Sequence, residues 1–182
     1  MSPKTKLKLA LLVHEGGSQT NLKRIQEAIE RGILDAEIVV VVSDKDNPMQ
    51  ILRETSPDYI CLAGWNKIIP DELIQKYENR ILNIHPGLIP DTQGGVVKNP
   101  DGTVALWNKG MYGSRAIKNF LDQKATFAGS SIHFLTLDFD FGPVLGRTFE
   151  KIEENDTVET LYARLKKKEN ELYIEVLQRI SA

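Results

Sequence analysis

An asparagine and a histidine lie two residues apart at the end of an apolar run, in the segment Ile81-Leu82-Asn83-Ile84-His85-Pro86-Gly87. The Pro-Gly pair breaks the strand that this run predicts, directly after His85. Side chains two apart on a strand point to the same face, so an amide and an imidazole that titrates near neutral pH would face one spot. Ligands of open α/β sheets bind at the carboxyl ends of strands. The segment therefore indicates a ligand site, although a histidine that only caps a turn fits the same residues.

A second candidate is the acidic loop Asp138-Phe139-Asp140-Phe141-Gly142-Pro143, which directly follows the predicted strand that carries His133. Two acids in an apolar loop cannot both be buried as bare charges, so one of them needs a cation or a donor. A protonated His85 would serve, and this pairing would raise the pKa of the histidine. A solvated turn is the alternative for acids that stand beside Gly-Pro.

A third candidate is the glycine loop Glu15-Gly16-Gly17-Ser18-Gln19-Thr20, between an apolar run and a predicted helix. Free backbone N–H groups and the helix dipole favour a phosphate at such a position. The loop is not a P-loop and lacks the spacing of the dinucleotide fingerprint. A plain strand-to-helix turn, glycine-rich for geometry only, is the alternative.

The sequence offers little support for a metal site, a nucleophilic serine, or binding to nucleic acid or a membrane. The three histidines, His14, His85 and His133, show no metal-ligand spacing, so we expect no metal. No GxSxG elbow for a nucleophilic serine is present. The net charge of −2 gives no electrostatic case for nucleic acid or an anionic membrane. A single cysteine, Cys61, and the absence of a long apolar run predict a cytoplasmic protein, which we expect to be a monomer or a homodimer.

Strand and helix patterns alternate along most of the chain. Strands are predicted at 9–13, 37–42, 59–63, 80–84, 130–135 and 144–150, and helices at 21–31, 49–55, 70–77, 114–122 and 158–180. Asp156 is expected to cap the last helix, and Asp101-Gly102 to close a small hairpin. This order predicts one domain over residues 1–182, a three-layer α/β fold with a Rossmann-like, mostly parallel sheet and helices on both faces. The last two strands follow each other directly, which predicts an antiparallel edge.

Four segments together resemble the formyltransferase family that uses 10-formyltetrahydrofolate. Residues 16–22 resemble the family's phosphate loop, 62–69 its folate-pocket segment, and 82–90 and 129–144 its two signatures. Within the family, the likeness is greatest to members that formylate glycinamide ribonucleotide in purine synthesis. The resemblance implies small-molecule substrates, with 10-formyltetrahydrofolate as co-substrate and no metal.

The resemblance implies that Asn83, His85 and Asp140 are the catalytic residues. Formyl transfer to an amine passes through a tetrahedral intermediate with a charged oxygen. The Asn83 amide and the His85 imidazolium would donate to that oxygen, while Asp140 keeps the imidazolium charged and could relay a proton. His133 would position Asp140 or its loop, and a plain core histidine is the alternative.

The resemblance also implies three sets of binding residues. These are the phosphate contacts Gly16, Gly17, Ser18 and Asn21, the ribose contact Glu169, and the folate contacts Trp65, Asn66, Lys67, Ile68 and Ile69.

The chain departs from the family at several places. Gln19-Thr20 is inserted in the phosphate loop, the segment 44–57 is shorter, and Phe141 replaces a small residue. The loop 91–111 is longer and flanks the site, where it either reshapes the amine pocket or acts as a lid. Three alternatives follow: a formyltetrahydrofolate hydrolase, an amino-sugar-nucleotide formyltransferase, and a non-catalytic folate-binding module.

Overall fold

Six strands form one sheet in the computed structural model, which describes residues 6–182. The first five residues of the expected domain lie outside the described residues. The strands are β1 (Leu7–Val13), β2 (Ala36–Ser43), β3 (Tyr59–Leu62), β4 (Ile81–His85), β5 (Phe127–Phe134) and β6 (Val144–Lys151). The helices are α1 (Thr20–Glu30), α2 (Pro48–Thr55), α3 (Asp71–Lys76), α4 (Gly113–Asp122) and α5 (Val158–Ser181).

The sheet has the order β2-β1-β3-β4-β5-β6. β1 pairs in parallel with both β2 and β3, and β3 pairs in parallel with β4. The β4–β5 and β5–β6 pairs are antiparallel. The predicted three-layer α/β fold is confirmed, and its antiparallel part includes the β4–β5 pair as well as the predicted edge.

Burial on both faces of the sheet explains why β1 shows no alternation in sequence. Its residues Leu9, Leu11 and Val13 pack in a cluster with α1 and α5, whereas Ala10 and Leu12 pack in another cluster with α2 and α3. The cluster with α1 and α5 contains Tyr173, whose hydroxyl shares its hydrogen bond between backbone carbonyls of β3 and β4.

The order of the strands places the candidate site. Because the chain turns from β1 to β2 on one side and to β3 on the other, β1 stands at the topological switch point. The carboxyl ends of the parallel strands β1, β3 and β4 lie at one edge, where ligands of such sheets bind. The loops that follow β1 and β3 carry the predicted phosphate and folate residues, the end of β4 carries Asn83 and His85, and Asp140 lies in the loop between β5 and β6.

One predicted helix cap is wrong. The N-cap of α5 is Thr157, whose hydroxyl accepts from the Thr160 backbone N–H at 3.3 Å while the Thr160 hydroxyl accepts from the Thr157 N–H. The carboxylate of Asp156 instead binds the Arg164 guanidinium at 2.6 and 2.7 Å. Asp156 and Thr157 are both good capping residues, and Arg164, about two turns into the helix, binds the first of them.

The predicted hairpin within the long loop is present. Lys98 and Val104 form an antiparallel bridge, and the Ala105 N–H donates to the Val97 carbonyl at 2.9 Å. The turn between them closes through a hydrogen bond from Gly102 N to the Asn99 carbonyl at 2.9 Å.

Candidate active site

β4 presents Asn83 and His85 on one face of the sheet, as their spacing predicts. In the antiparallel register, His133 stands opposite Asn83, and Ser131 stands opposite His85. Directly paired residues share a face, so β5 adds a second imidazole beside the amide. The intervening Ile84 packs with the cluster on the opposite, α5 side.

His133 orients the amide of Asn83. Its ring is buried, and burial together with the nearby His85 lowers its pKa to about 4, so it is neutral near pH 7. The Nδ1–H donates to the Phe134 carbonyl at 3.1 Å, which leaves Nε2 to accept from the Asn83 Nδ2 at 3.3 Å. His133 therefore binds Asn83. One amide N–H of Asn83 is engaged in this way, and its second N–H can be donated to a ligand. The His133 ring also lies beside the acidic loop, 3.4 Å from where a Cβ on Gly142 would stand, and its expected role in positioning Asp140 or this loop stays a prediction.

His85 meets Asp140, as the sequence suggested. The His85 Nδ1 lies 3.6 Å from the Asp140 Oδ1, and its Nε2 donates to the Trp107 carbonyl at 2.8 Å. The expected rise in the His85 pKa is not found. Burial, which leaves the residue 2% exposed, lowers the pKa and outweighs the opposing effects of Asp140 and of the Trp107 carbonyl.

The two acids of the acidic loop have different partners. Asp140 is half-buried in a left-handed conformation (φ +49°), and its Oδ2 accepts from the Gly110 N–H at 2.7 Å. Its carbonyl accepts from the Trp107 indole N–H at 3.0 Å. Asp138 is exposed and pairs with Lys109 and Gln93. Only Asp140 therefore faces the histidine.

Sequence reasoning missed Trp107 as part of the site. It lies in the aperiodic loop 91–111, and its ring packs at a tilt against Phe141, with 5.8 Å between the ring centroids. The length of this loop and a tryptophan among its turn residues were the available signals. They do not identify which carbonyl would reach His85.

The glycine loop precedes a helix N-terminus that no side chain caps. Gln19 takes a left-handed conformation (φ +51°), and α1 begins at Thr20, one residue earlier than predicted. The side chain of Asn21 is buried, and neither it nor the Thr20 hydroxyl finds a hydrogen-bond partner among residues 6–182. Buried polar groups are rarely left unsatisfied, so these two side chains support a polar ligand here. Gly16, Gly17 and Ser18 are exposed beside them.

Side chains from two neighbouring strands support this loop. His14, at the end of β1, lies with its Nδ1 2.6 Å from the Asp44 carboxylate, which also accepts from the Glu15 N–H at 3.0 Å. These hydrogen bonds lower the pKa of Asp44. Lys67, from the predicted folate segment, donates to the Asp44 carbonyl. The phosphate and folate segments therefore meet at this edge.

The other predicted folate residues differ in exposure. Ile68 is 86% exposed and Asn66 is exposed, so both can meet a ligand. The indole N–H of Trp65 is buried without a partner in the described part of the chain. Ile69 is 5% exposed and packs in the core with Leu73, and its predicted contact with folate stays a prediction.

Glu169 lies on the opposite face of the sheet from Asn83 and His85. It is buried on α5, where its Oε1 accepts from the Ser130 hydroxyl at 2.6 Å and its Oε2 accepts from Lys166 at 2.9 Å. Ser130 is adjacent to the Ser131–His85 pair but points to the opposite face. The structure therefore does not bring Glu169 into contact with Asn83 or His85, although its charge acts to raise the His85 pKa.

Among residues 6–182, no helix is long and apolar enough to cross a membrane. No group of three or more His, Cys, Asp or Glu side chains in that range could hold a metal ion.

Comparison with known proteins identifies the class to which this fold and site belong. The family model described as "Formyl transferase" matches residues 48–177, which is more than half of the chain. The chain therefore belongs to the formyl transferase family.

Particular members of that class resemble the chain along most of its length. The chloroplastic phosphoribosylglycinamide formyltransferase of Arabidopsis thaliana is 30% identical over 202 residues, which cover 93% of this chain and 64% of the relative. The chain thus spans somewhat under two thirds of the length of such curated relatives. The crystal structure of phosphoribosylglycinamide formyltransferase from Bacillus halodurans matches with a TM-score of 0.77 and 25% identity, covering 95% of this chain and 94% of that one.

A formyltetrahydrofolate deformylase from Pseudomonas syringae shares the fold. It matches with a TM-score of 0.77 and 16% identity, and the alignment covers 96% of this chain and 61% of that one. At this identity the likeness concerns the fold alone.

Proposed function

We propose that the protein transfers the formyl group of 10-formyltetrahydrofolate to the primary amine of glycinamide ribonucleotide. The observation that carries the proposal is that Asn83 and His85 share one face at the carboxyl end of β4, with the His85 Nδ1 3.6 Å from the Asp140 Oδ1. The names of the Arabidopsis relative and of the Bacillus halodurans enzyme support this acceptor.

Asn83 supplies the oxyanion donor in this mechanism. The amine attacks the formyl carbon, and the carbonyl oxygen takes up the negative charge of the tetrahedral intermediate. Because His133 accepts one amide N–H of Asn83, the direction of the second is fixed before the substrate arrives. A preorganised donor of this kind contributes about 10²–10³ in rate.

Asp140 accepts the proton of the amine and later donates it to the leaving group. The attacking amine must lose a proton as the new C–N bond forms, and the half-buried carboxylate is the base that can receive it. When the intermediate collapses, the same proton goes to N10 of the departing tetrahydrofolate. The His85 Nδ1, 3.6 Å from the Asp140 Oδ1, can accept a hydrogen bond from the carboxyl once it is protonated.

The acceptor's phosphate lies at the N-terminus of α1 in this proposal. Gly16, Gly17 and Ser18 offer exposed backbone at that end, and the unpartnered Thr20 and Asn21 side chains offer hydrogen bonds. The 11-residue helix adds its dipole, which favours an anion at that end. Glu169 reaches the acceptor's ribose only if it gives up one of its two present partners.

The folate lies along the segment that follows β3. Ile68 gives an exposed apolar surface for the ring system, and the indole N–H of Trp65 is a donor in need of an acceptor. Asn66 and Lys67 are the polar residues of the same segment. The cytoplasmic location and the monomeric or dimeric state stay predictions from sequence, and the Arabidopsis relative is named as chloroplastic.

The test supplies purified protein with 10-formyltetrahydrofolate and glycinamide ribonucleotide, and follows tetrahydrofolate by absorbance and the product by mass spectrometry. We expect turnover that requires both substrates, and about a 10²–10³-fold lower kcat in Asn83→Ala. Val41→Ala, on the exposed surface of the edge strand β2, is the control and keeps full activity.

Other outcomes identify the alternatives. Turnover without an amine indicates a hydrolase, and turnover only with an amino-sugar nucleotide indicates that transferase. Tight folate binding without turnover under any acceptor indicates a binding module. Each of these results would overturn the proposed acceptor.

A further inference from the structure

The imidazole of His14 lies against the glycine loop at the carboxyl end of β1. Its Nδ1 is 2.6 Å from the Asp44 Oδ2, and the other oxygen of that carboxylate accepts from the Glu15 N–H at 3.0 Å. The bonds from the Glu15 N–H and from His14 lower the pKa of Asp44. The carboxylate is therefore ionised near pH 7 and can only accept hydrogen bonds. It follows that Nδ1 carries a proton, and that Nε2 is the ring atom left for another partner.

The glycine pair of this loop is fitted to the His14 ring. Neither Gly16 nor Gly17 takes a left-handed conformation, so the backbone alone does not require glycine at these positions. A Cβ at Gly16 would lie 3.1 Å from the His14 Nε2, and one at Gly17 would lie 3.2 Å from the His14 carbonyl oxygen. The Gly17 N–H donates to the same carbonyl at 3.0 Å. The loop thus folds back onto His14, and no side chain at Gly16 covers Nε2.

Unpartnered polar groups beside the loop indicate a polar ligand independently of the histidine. The Asn21 side chain is 2% exposed, and neither its amide nitrogen nor its oxygen has a hydrogen-bond partner among residues 6–182. The buried Thr20 hydroxyl also lacks one within that range. Both residues open α1, whose N-terminal dipole favours an anion. The side chain of His14 is 37% exposed, so a ligand at this loop can reach its ring.

We propose that His14 binds the phosphate monoester of the acceptor through Nε2–H, and that it does so only with a protonated ring, so that acceptor binding takes up a proton. The inference rests on the proposed function, which places the acceptor's phosphate at this loop. Because Asp44 holds the Nδ1 proton, a neutral ring presents a lone pair at Nε2, which repels phosphate oxygens. A protonated ring presents a donor and a positive charge, and the resulting hydrogen bond is charge-assisted. Asp44 is a positioning residue that acts through His14.

The charged groups around His14 come from three loops. Asp44 and Lys45 follow β2, Glu15 follows β1, and Lys67 follows β3. Lys45 pairs with Glu15, and Lys67 donates to the Asp44 carbonyl, so both lysines already have acceptors in the protein. The imidazole of a histidine titrates near neutral pH. The charge that His14 offers to a phosphate therefore follows the pH of the solution, whereas that of a lysine does not.

Calorimetric titration with ribose-5-phosphate tests the proposal without formyl transfer. This probe carries the phosphate monoester but no amine, and a phosphate monoester is mostly a dianion above pH 7. Between pH 7 and pH 9 we expect the Kd of the wild type to rise about tenfold, as the loss of one charged hydrogen bond implies. The Kd of His14→Gln should stay constant over this range. Titrations at pH 7.5 in buffers of different ionisation enthalpy should show uptake of about half a proton per bound probe in the wild type, and none in His14→Gln.

Asp44→Asn tests the positioning role, with Asp46→Asn as the matched control. The Glu15 N–H would hold the new amide oxygen, so the amide NH₂ would donate to the His14 Nδ1 and leave the proton of the neutral ring on Nε2. We expect proton uptake to fall close to zero while the probe still binds at pH 9. A purely structural role of Asp44 would weaken binding at every pH and leave the uptake unchanged. Asp46 is exposed in the same loop and binds the Ser43 N–H, so its variant loses the same charge but should keep the wild-type pH dependence.

Failure of the wild type to bind ribose-5-phosphate would overturn the inference, and so would equal pH profiles of Kd in the wild type and His14→Gln. In turnover at pH 7, His14→Gln should raise KM for glycinamide ribonucleotide about tenfold, with kcat and KM for 10-formyltetrahydrofolate unchanged. Proton-linked binding of the probe by a protein that formylates no acceptor would support the phosphate site and refute the proposed function. An unchanged KM in active His14→Gln would do the reverse.

Discussion

We expect the substitution Gly87→Ala to push the Trp107 carbonyl away from His85 by steric repulsion alone. A methyl group at Gly87 would lie 1.8 Å from the Trp107 carbonyl oxygen and 2.9 Å from the His85 Nε2. Ordinary contact begins at 3.4 Å, so the carbonyl must move by about 1.6 Å. Such a movement lengthens the present hydrogen bond of 2.8 Å beyond the range in which it counts as one.

The cost has two parts, overpacking and a buried donor left without a partner. Overpacking costs about 1–3 kcal/mol and the unpaired N–H a similar amount, so we expect the free energy of unfolding to fall by about 3 kcal/mol. For a chain of this length, the corresponding decrease in Tm is about 9 °C. We also expect kcat to fall while the folate still binds, because residues 65–69 are distant from this contact in the chain.

Calorimetry measures the stability, and the His85 Nε2–H signal in the NMR spectrum of ¹⁵N-histidine-labelled protein reports on the hydrogen bond to the Trp107 carbonyl. Gly102→Ala is the control, because Gly102 has a positive φ of +86° and no atom within 4 Å of an added methyl. It costs about 1–2 kcal/mol through backbone strain and leaves the His85 signal in place. If Gly87→Ala is as stable as the wild type, or keeps the signal unchanged, the carbonyl does not hold His85.

Two further predictions concern the groups around the site. The pKa of His133 is lowered to about 4 in the folded chain. Between pH 6.5 and 4, the unfolded chain therefore binds a proton at this residue that the folded chain does not bind, so the free energy of unfolding should decrease as the pH falls through this range. His133→Gln should flatten this dependence in urea unfolding, and equal slopes would contradict the neutral ring. Ser130→Ala removes a donor from the buried Glu169 carboxylate and should lower the free energy of unfolding by about 1.5–3 kcal/mol. Denaturant unfolding at pH 7 measures this decrease, and an unchanged midpoint would show that the Ser130 hydroxyl does not bind the Glu169 carboxylate.

The parts of the site that follow local rules could be predicted from sequence. Strand alternation and the Pro-Gly breaker placed Asn83 and His85 on one face, and the need to neutralise a buried acid suggested the partnership with Asp140. The cap of α5 failed because Asp156 and Thr157 are both good capping residues, and only the tertiary contact with Arg164 decides between them.

The pKa of His85 could not be predicted because it depends on how completely the long loop covers the ring. The sequence supplied the neighbouring acid, which raises the pKa, but not the burial, which lowers it more. Trp107 was missed for a related reason. Its contact with His85 is made by a backbone carbonyl, which every residue type possesses, so no side-chain pattern marks the position.

The same contacts decide between the two roles that the sequence left open for the loop 91–111. A lid needs a segment that can leave the site at little cost, but this loop is held at both ends. At its start, Asp91 binds Arg147 at 2.7 Å, and the same guanidinium donates to the Ile89 carbonyl. At its end, residues 107–110 bind His85 and Asp140, and Asn108 is buried. Opening would expose His85 and Asp140 to water and leave the buried Nε2–H of His85 to find a new acceptor. For the proposed formyl transfer, we therefore expect the loop to line the amine pocket as a wall, and we expect the choice of acceptor to depend on the shape of the loop rather than on its closure.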